Sequence, residues 1–289
     1  MDFQIIKTAP TFKTDWAVGW YKNANDAWQN LYYGLNVDGD IRSPRGLKVK
    51  ETLGCDIYIM NPMDNLVYNS FYPASPYYIA QEYEWYHSYN NDVESIAKFA
   101  PFWRKIANPD GTVNSNYGCY IFKLYEDGTS EWTRLVDLLR KDPDSRQAIL
   151  QIPITPFKNT KDLTCTSSLQ FFVRDNKVFM TTYMRSNDLC KGFRNDIPFF
   201  TSLQIDLAKE LDLEVGWYRH VVGNLHIYEP DFIENRIGEF RFECISEYKY
   251  PDSVREYDIK HDFNILRKRS VDGVQNSILK YMAENFNRK

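Results

Sequence analysis

Residues 169–185, Leu-Gln-Phe-Phe-Val-Arg-Asp-Asn-Lys-Val-Phe-Met-Thr-Thr-Tyr-Met-Arg, set the frame of this chain. Two runs rich in apolar, aromatic and β-branched residues flank Arg174-Asp-Asn-Lys177. An Asp-Asn centre suits a tight turn, so the stretch predicts two strands joined as a hairpin. Downstream, Phe200, Leu203, Leu207 and Leu211 recur at spacings of 3, 4 and 4, one face of a helix beginning near Pro198. Upstream, Ser130 to Arg140 reads as helix, with Trp132, Leu135, Leu138 and Leu139 apolar and Asp142-Pro143 as its stop. Tyr77 to Phe99 reads as helix through Ile79, Tyr83 and Tyr86. Residues 53–62 read as a strand of mixed period ended by Asn61-Pro62, after a turn-rich basic loop over residues 40–47. Asn108-Pro-Asp-Gly111 is a turn, and the tail from Val271 to Phe286 is helical, with Val274, Ile278, Met282 and Phe286 on one face. The expected fold class is α/β (α+β), with helices packed on one large mixed sheet.

A length of 289 residues allows roughly two domains, but no linker, repeat or low-complexity tract divides the chain, so a single domain over 1–289 is expected. The 39 acidic and 35 basic residues leave a charge of −4, which argues against general nucleic-acid binding. Apolar residues at 43% and aromatics at 16% exclude disorder, and the apolar runs are too short for a membrane span. The N-terminal residues carry charge too early for a secretory signal. Cys55, Cys119, Cys165, Cys190 and Cys244 are odd in number and without CxxC spacing, so neither a disulfide framework nor a metal site is expected. A cytoplasmic location follows.

Chemistry gathers in three stretches: Leu163-Thr-Cys-Thr-Ser-Ser-Leu-Gln-Phe-Phe-Val173, Tyr183-Met-Arg-Ser-Asn-Asp188 continuing through Gly192 to Asp196, and Gly223-Asn-Leu-His-Ile-Tyr228. Taken singly they are bland. A cysteine ahead of a strand is commonly a small buried hydrophobe, Arg185-Ser186 reads as a surface pair, and His226 as a satisfied core histidine. Together they resemble the thymidylate synthases and their nucleotide-modifying relatives. In that family a nucleophilic cysteine opens a strand ending in Gln-Phe, matched here by Cys165 and Gln170-Phe171. An Arg-Ser-x-Asp motif follows, matched by Arg185, Ser186 and Asp188, and a His-x-Tyr that holds the deoxyribose hydroxyl, matched by His226 and Tyr228. The separations, 20 residues from Cys165 to Arg185 and 41 from Arg185 to His226, fit without a gap. The resemblance covers roughly residues 30–235 and leaves 236–289 as a helical tail.

The resemblance implies further roles upstream. Glu82 corresponds to a helix-borne glutamate that orders water at the pyrimidine; the alternative is an exposed carboxylate like Glu84. Trp103 and Tyr117 correspond to a folate-facing tryptophan and a tyrosine implicated in proton removal; both read equally as core. Asp142-Pro-Asp-Ser-Arg146 is close to a DPxSRR loop whose arginines reach the phosphate of a neighbouring subunit, which implies a sheet-mediated homodimer. Gln147 replaces the second arginine, and either Arg42 or Arg45 supplies a remaining phosphate contact.

Departures from the family pattern point to the base. Eleven residues after the motif arginine, where an asparagine pairs with uracil in thymidylate synthases, stands Asp196. Cytosine presents a 4-amino donor and an N3 acceptor, which a carboxyl group suits. The competing reading makes Asp196-Ile-Pro198 a helix N-cap with proline at the helix start, and both can hold together. Thr166 and Met184 replace a histidine and a glutamine beside the pyrimidine, and residues 285–289 lack the apolar ending that shields the family's intermediate from water. The implied activity is folate-dependent hydroxymethyl transfer to C5 of dCMP, an enzyme typical of bacteriophages, with 5,10-methylenetetrahydrofolate as co-substrate, no metal, and the host cytoplasm as location. Cys165 adds to C6, C5 takes the one-carbon unit, and water completes the product. The alternatives are a dCMP or dUMP methylase, a dUMP hydroxymethylase, and an inactive nucleotide-binding scaffold.

Overall fold

A computed structural model describes residues 16–69, 71–153, 160–236, 253–255 and 257–285. Cys244, Phe286 and, of the ending read over residues 285–289, all but Asn285 lie outside them. In chain order the elements are β1 (Val18–Tyr21), α1 (Ala24–Asp38), β2 (Asp40–Arg42), β3 (Val49–Ile59), α2 (Pro76–Ser88), α3 (Glu94–Ala97), α4 (Trp103–Ile106), α5 (Gly118–Ile121) and α6 (Glu131–Lys141). There follow β4 (Ile149–Gln151), β5 (Thr166–Arg174), β6 (Lys177–Met184), β7 (Asn187–Asp188), α7 (Arg194–Glu210), β8 (Glu214–Tyr228), α8 (Ile259–Arg267) and α9 (Ser277–Asn285).

Among the described residues, eight strands join one mixed sheet of order β1-β3-β8-β6-β5-β4, with β2 on β3 and β7 on β8. β8 runs parallel to β6 and antiparallel to β3, so it bridges the two flanks. The hairpin between β5 and β6 forms as expected, with Asp175 (φ 50°) and Asn176 (φ 57°) both left-handed, the geometry that short polar residues tolerate best.

Strand alternation splits the sheet into two unlike faces. Cys55, Ile57, Ile59, Met180, Tyr218 and Val222 are buried on one face, against α1 and α7. The other face carries Trp20, which is 62% exposed and stacks on Tyr58 at 4.1 Å. Trp217 continues this surface, 5.3 Å from Tyr58 and 4.9 Å from Phe179, and the Arg219 guanidinium forks onto Asp56 at 2.6 and 2.7 Å.

Several sequence expectations change. Residues 40–42 of the expected basic loop pair with β3 as strand β2, and the strand expected over 53–62 runs over Val49–Ile59. The helix expected over 77–99 stops at Ser88, because Tyr89 turns left-handed (φ 40°), and resumes only as α3. The helical tail starts at Ser277 rather than Val271: Asp262 accepts the backbone N–H groups of Gln275 and Asn276, and Asn276 Oδ1 accepts those of Ile278 and Leu279. The N-cap reading of Asp196 fails. α7 begins at Arg194 after a π-turn, Pro198 lies inside the helix, and the Asp196 carboxylate bonds a side chain rather than a helix N–H.

Candidate active site

The β5–β6 hairpin determines where Cys165 stands. Thr166 pairs with Met184, and the ladder gains one bond when Arg185 N–H donates to the Cys165 carbonyl at 2.8 Å. The Arg185 side chain then doubles back: Nε donates to Thr164 O at 2.9 Å and Nη2 to Leu163 O at 2.7 Å. This clamp fixes the loop that carries the thiol. Burial pushes the Cys165 thiol up, while the charges of Arg185 and Arg45 pull it down and Asp196 and Asp162 oppose them. Arg45 therefore faces the thiol electrostatically; Arg42 instead bonds Ile41 O and lies 3.8 Å from Asp40.

β7 brings Asp188 opposite His226 on β8. Asp188 Oδ1 accepts the N–H groups of Cys190 and Lys191 at 2.9 and 3.0 Å, capping the π-turn that leads into α7. His226 Nδ1 meets Asn224 Oδ1 at 3.1 Å; the amide oxygen can only accept, so Nδ1 carries the proton and Nε2 is left as an acceptor. Tyr228 stands edge-on to His226 at 5.2 Å, with the Lys191 ammonium 4.9 Å over its ring. Ser186 is half-buried beside Arg185 in sequence.

Asp196 reaches the site from the first turn of α7, half-buried. Its Oδ2 accepts Asn187 Nδ2 at 2.7 Å. Burial lifts its pKa to about 6, opposed by the Asn187 bond and assisted by the charge of Asp188. A Cβ on Gly192 would stand 2.7 Å from Asn187 Nδ2 and 3.0 Å from Asp196 Oδ2, so only glycine lets the pair meet.

From the other side, α2 contributes Glu82. It is buried, its Oε1 accepts the Tyr78 hydroxyl at 2.7 Å, and burial raises its pKa to about 8, with Asp196 adding to the rise. Trp103 Nε1 donates to the same Tyr78 oxygen at 2.9 Å, and its ring lies 5.0 Å from Trp85, so a half-buried indole is held with its orientation fixed. Tyr117 is buried, stacked 5.4 Å from Tyr86, and burial raises its phenol well above the usual range, with Asp196 and Cys165 contributing. Cys165, Glu82 and Tyr117 thus all sense the same carboxylate, Asp196.

Arg146 is exposed and forms no ion pair with a described residue; only its carbonyl is engaged, by Gln170 Nε2 at 3.3 Å. Gln147 is exposed beside it. The expected set therefore falls into a group around Asp196, a neighbouring group of Asp188, His226 and Tyr228, and two outliers, Arg42 and Arg146.

Sequence reasoning passed over Asn187, His220 and Tyr78. Asn187 lay within the Arg-Ser-Asn-Asp stretch, but a lone amide announces nothing until its partner is known. His220 shares the buried face of β8 with Tyr218 and Val222, which strand alternation alone could have indicated. No group of three or more His, Cys, Asp or Glu side chains among the described residues is arranged to hold a metal ion.

Against known proteins, residues 75–272 match the thymidylate synthase family, a window that starts and ends later than the motif resemblance. The chain belongs to the thymidylate synthase family. The deoxycytidylate 5-hydroxymethyltransferase of Enterobacteria phage T4 is 31% identical over 201 residues, 65% of this chain and 78% of that protein. The deoxyuridylate hydroxymethyltransferase of Bacillus phage SP01 is 28% identical over 208 residues, 68% of this chain and 54% of that protein. The thymidylate synthase of Lactococcus lactis subsp. lactis (strain IL1403) is 28% identical over 177 residues, 57% and 62% respectively. No helix among the described residues is long and apolar enough to cross a membrane.

Proposed function

We propose that this family member is a deoxycytidylate 5-hydroxymethyltransferase. It converts dCMP, 5,10-methylenetetrahydrofolate and water to 5-hydroxymethyl-dCMP and tetrahydrofolate. The observation that carries the reading is Asp196, a carboxyl titrating near 6 amid Cys165, Glu82 and Tyr117. A carboxyl group with its proton on one oxygen donates to N3 of cytosine and accepts from the 4-amino group.

The remaining side chains divide the work. Cys165 adds to C6 and makes C5 nucleophilic, with the charges of Arg185 and Arg45 favouring the thiolate. Arg185, Ser186 and Arg45 bind the phosphate together with Arg146 of a second copy, whereas Arg42 is drawn towards Asp40. His226 Nε2 accepts the sugar hydroxyl and Tyr228 supports it. Tyr117, kept neutral by burial, takes the C5 proton only while passing its own on, or relays it through water. The folate supplies the one-carbon unit when bound, and the fixed face of Trp103 suits stacking by its pterin ring. Glu82 orders the water that adds to the exocyclic methylene on C5, after which the Cys165–C6 bond breaks, the thiolate leaves and the pyrimidine double bond is restored. The sheet face of Trp20, Tyr58 and Trp217 is the surface on which a second copy docks. No metal enters this scheme, and the expected location is the cytoplasm of a host cell.

The test is product analysis by mass spectrometry after incubation with the folate and either dCMP or dUMP. The expected product is 5-hydroxymethyl-dCMP without dihydrofolate absorbance; stoichiometric dihydrofolate would make the enzyme a methylase. Product from dUMP alone would favour the second reading, a dUMP hydroxymethylase like the SP01 relative.

A further inference from the structure

Below about pH 6 the Asp196 carboxyl keeps its proton, and a neutral carboxyl group can serve either pyrimidine. With its proton opposite N3 it fits cytosine; with its proton opposite the 4-substituent and a bare oxygen at N3–H it fits uracil. Reading the base therefore requires control over which oxygen of Asp196 holds the proton.

Behind Asp196 lies a buried chain of hydrogen bonds that supplies this control. The Tyr218 hydroxyl meets His220 Nδ1 at 2.8 Å, His220 Nε2 meets Asn187 Oδ1 at 3.2 Å, and Asn187 Nδ2 meets Asp196 Oδ2 at 2.7 Å. Tyr218 and His220 are fully buried and Asn187 is 3% exposed. Burial holds the imidazole neutral, with its pKa lowered to about 3, so it carries one proton. The polarity of the chain then runs one way: Tyr218 O–H donates to Nδ1, Nε2–H donates to the Asn187 carbonyl, and the Asn187 amide donates to Asp196 Oδ2.

We infer that Asn187 is a positioning residue for base choice: by donating to Oδ2 it keeps the Asp196 proton on Oδ1. With Oδ1 opposite N3 and Oδ2 beside the 4-amino group, cytosine is matched, whereas uracil would set N3–H against O–H. Gly192 belongs to the same device, since any side chain there would wedge the pair apart. This inference rests on the cytosine reading proposed above.

The experiment compares dissociation constants for dCMP and dUMP, by calorimetry at about pH 5.5 where Asp196 is protonated, in the parent protein and in Asn187→Leu, which is similar in size but donates nothing. General damage cancels in the ratio of the two constants. The expected result is a parent that prefers dCMP and a variant whose preference falls tenfold or more. In an Asp196→Asn background, Asn187→Leu is expected to leave the ratio unchanged. Should the leucine variant not fold, the same ratio is read in Asn187→Ala. A folded variant that keeps the parental ratio overturns the inference. A parent without dCMP preference overturns the cytosine reading instead.

Discussion

At the scale of single residues, two acids with raised pKa values, Glu82 buried and Asp196 half-buried, make the sharpest predictions. Asp196→Asn restores the family's usual amide, and competition assays are expected to move preference from dCMP towards dUMP by about tenfold or more, since a mismatched site leaves buried polar groups unpaired. Glu82 makes a prediction in pH. Its carboxyl stays neutral in the folded chain up to about 8, whereas in the unfolded chain it ionises above 4.5. Between those values unfolding releases a proton, so stability falls as pH rises. Glu82→Gln removes that slope. Thermal melts are expected to show a higher Tm than the parent at pH 8, by about 2–4 °C for each kcal/mol relieved, and convergence near pH 4.5. The same variant should still bind dCMP while product formation drops about a hundredfold.

At the scale of elements, α6 offers a clean measurement. Ser130 and Thr133 form a reciprocal capping box, Ser130 Oγ accepting from Thr133 N at 3.2 Å and Thr133 Oγ1 from Ser130 N at 2.8 Å. Ser130→Ala is expected to cost about 1 kcal/mol in denaturant melts with nucleotide binding intact. This helix and the β5–β6 hairpin were legible because each rests on local residue chemistry, whereas the spacing of Cys165, Arg185 and His226 was legible only through the family resemblance. What escaped depended on distant partners. Nothing in residues 77–99 announces a break after Ser88, and nothing in 271–286 announces that Asp262 will hold Gln275 and Asn276 outside the helix. Asp196 was visible as a departure from the family pattern. Its bond to Asn187 was not, because the π-turn over Leu189–Phe193 that folds one back on the other has no sequence signature.

At the scale of the molecule, the described residues leave Trp20 exposed on the aromatic face of the sheet, and Arg146 stands unpaired with any described residue. If copies share sites across that face, a mixture of Cys165→Ala and Arg146→Ala proteins, each inactive, should regain activity on co-refolding. Hybrids carry one site free of both changes, so up to about a quarter of all sites recover. Trp217→Glu should abolish both association, read by sedimentation, and this rescue. The strand order carries one more consequence. Among the described residues, β8 alone links the β1–β3 flank to the β4–β6 flank, and it is the last of the described strands that translation delivers. A nascent chain that has not reached Glu214 holds two half-sheets, each with a bare edge, β3 on one and β6 on the other. Ribosome-bound intermediates of that length are where chaperone capture should concentrate, and it should cease once Tyr228 has left the exit tunnel.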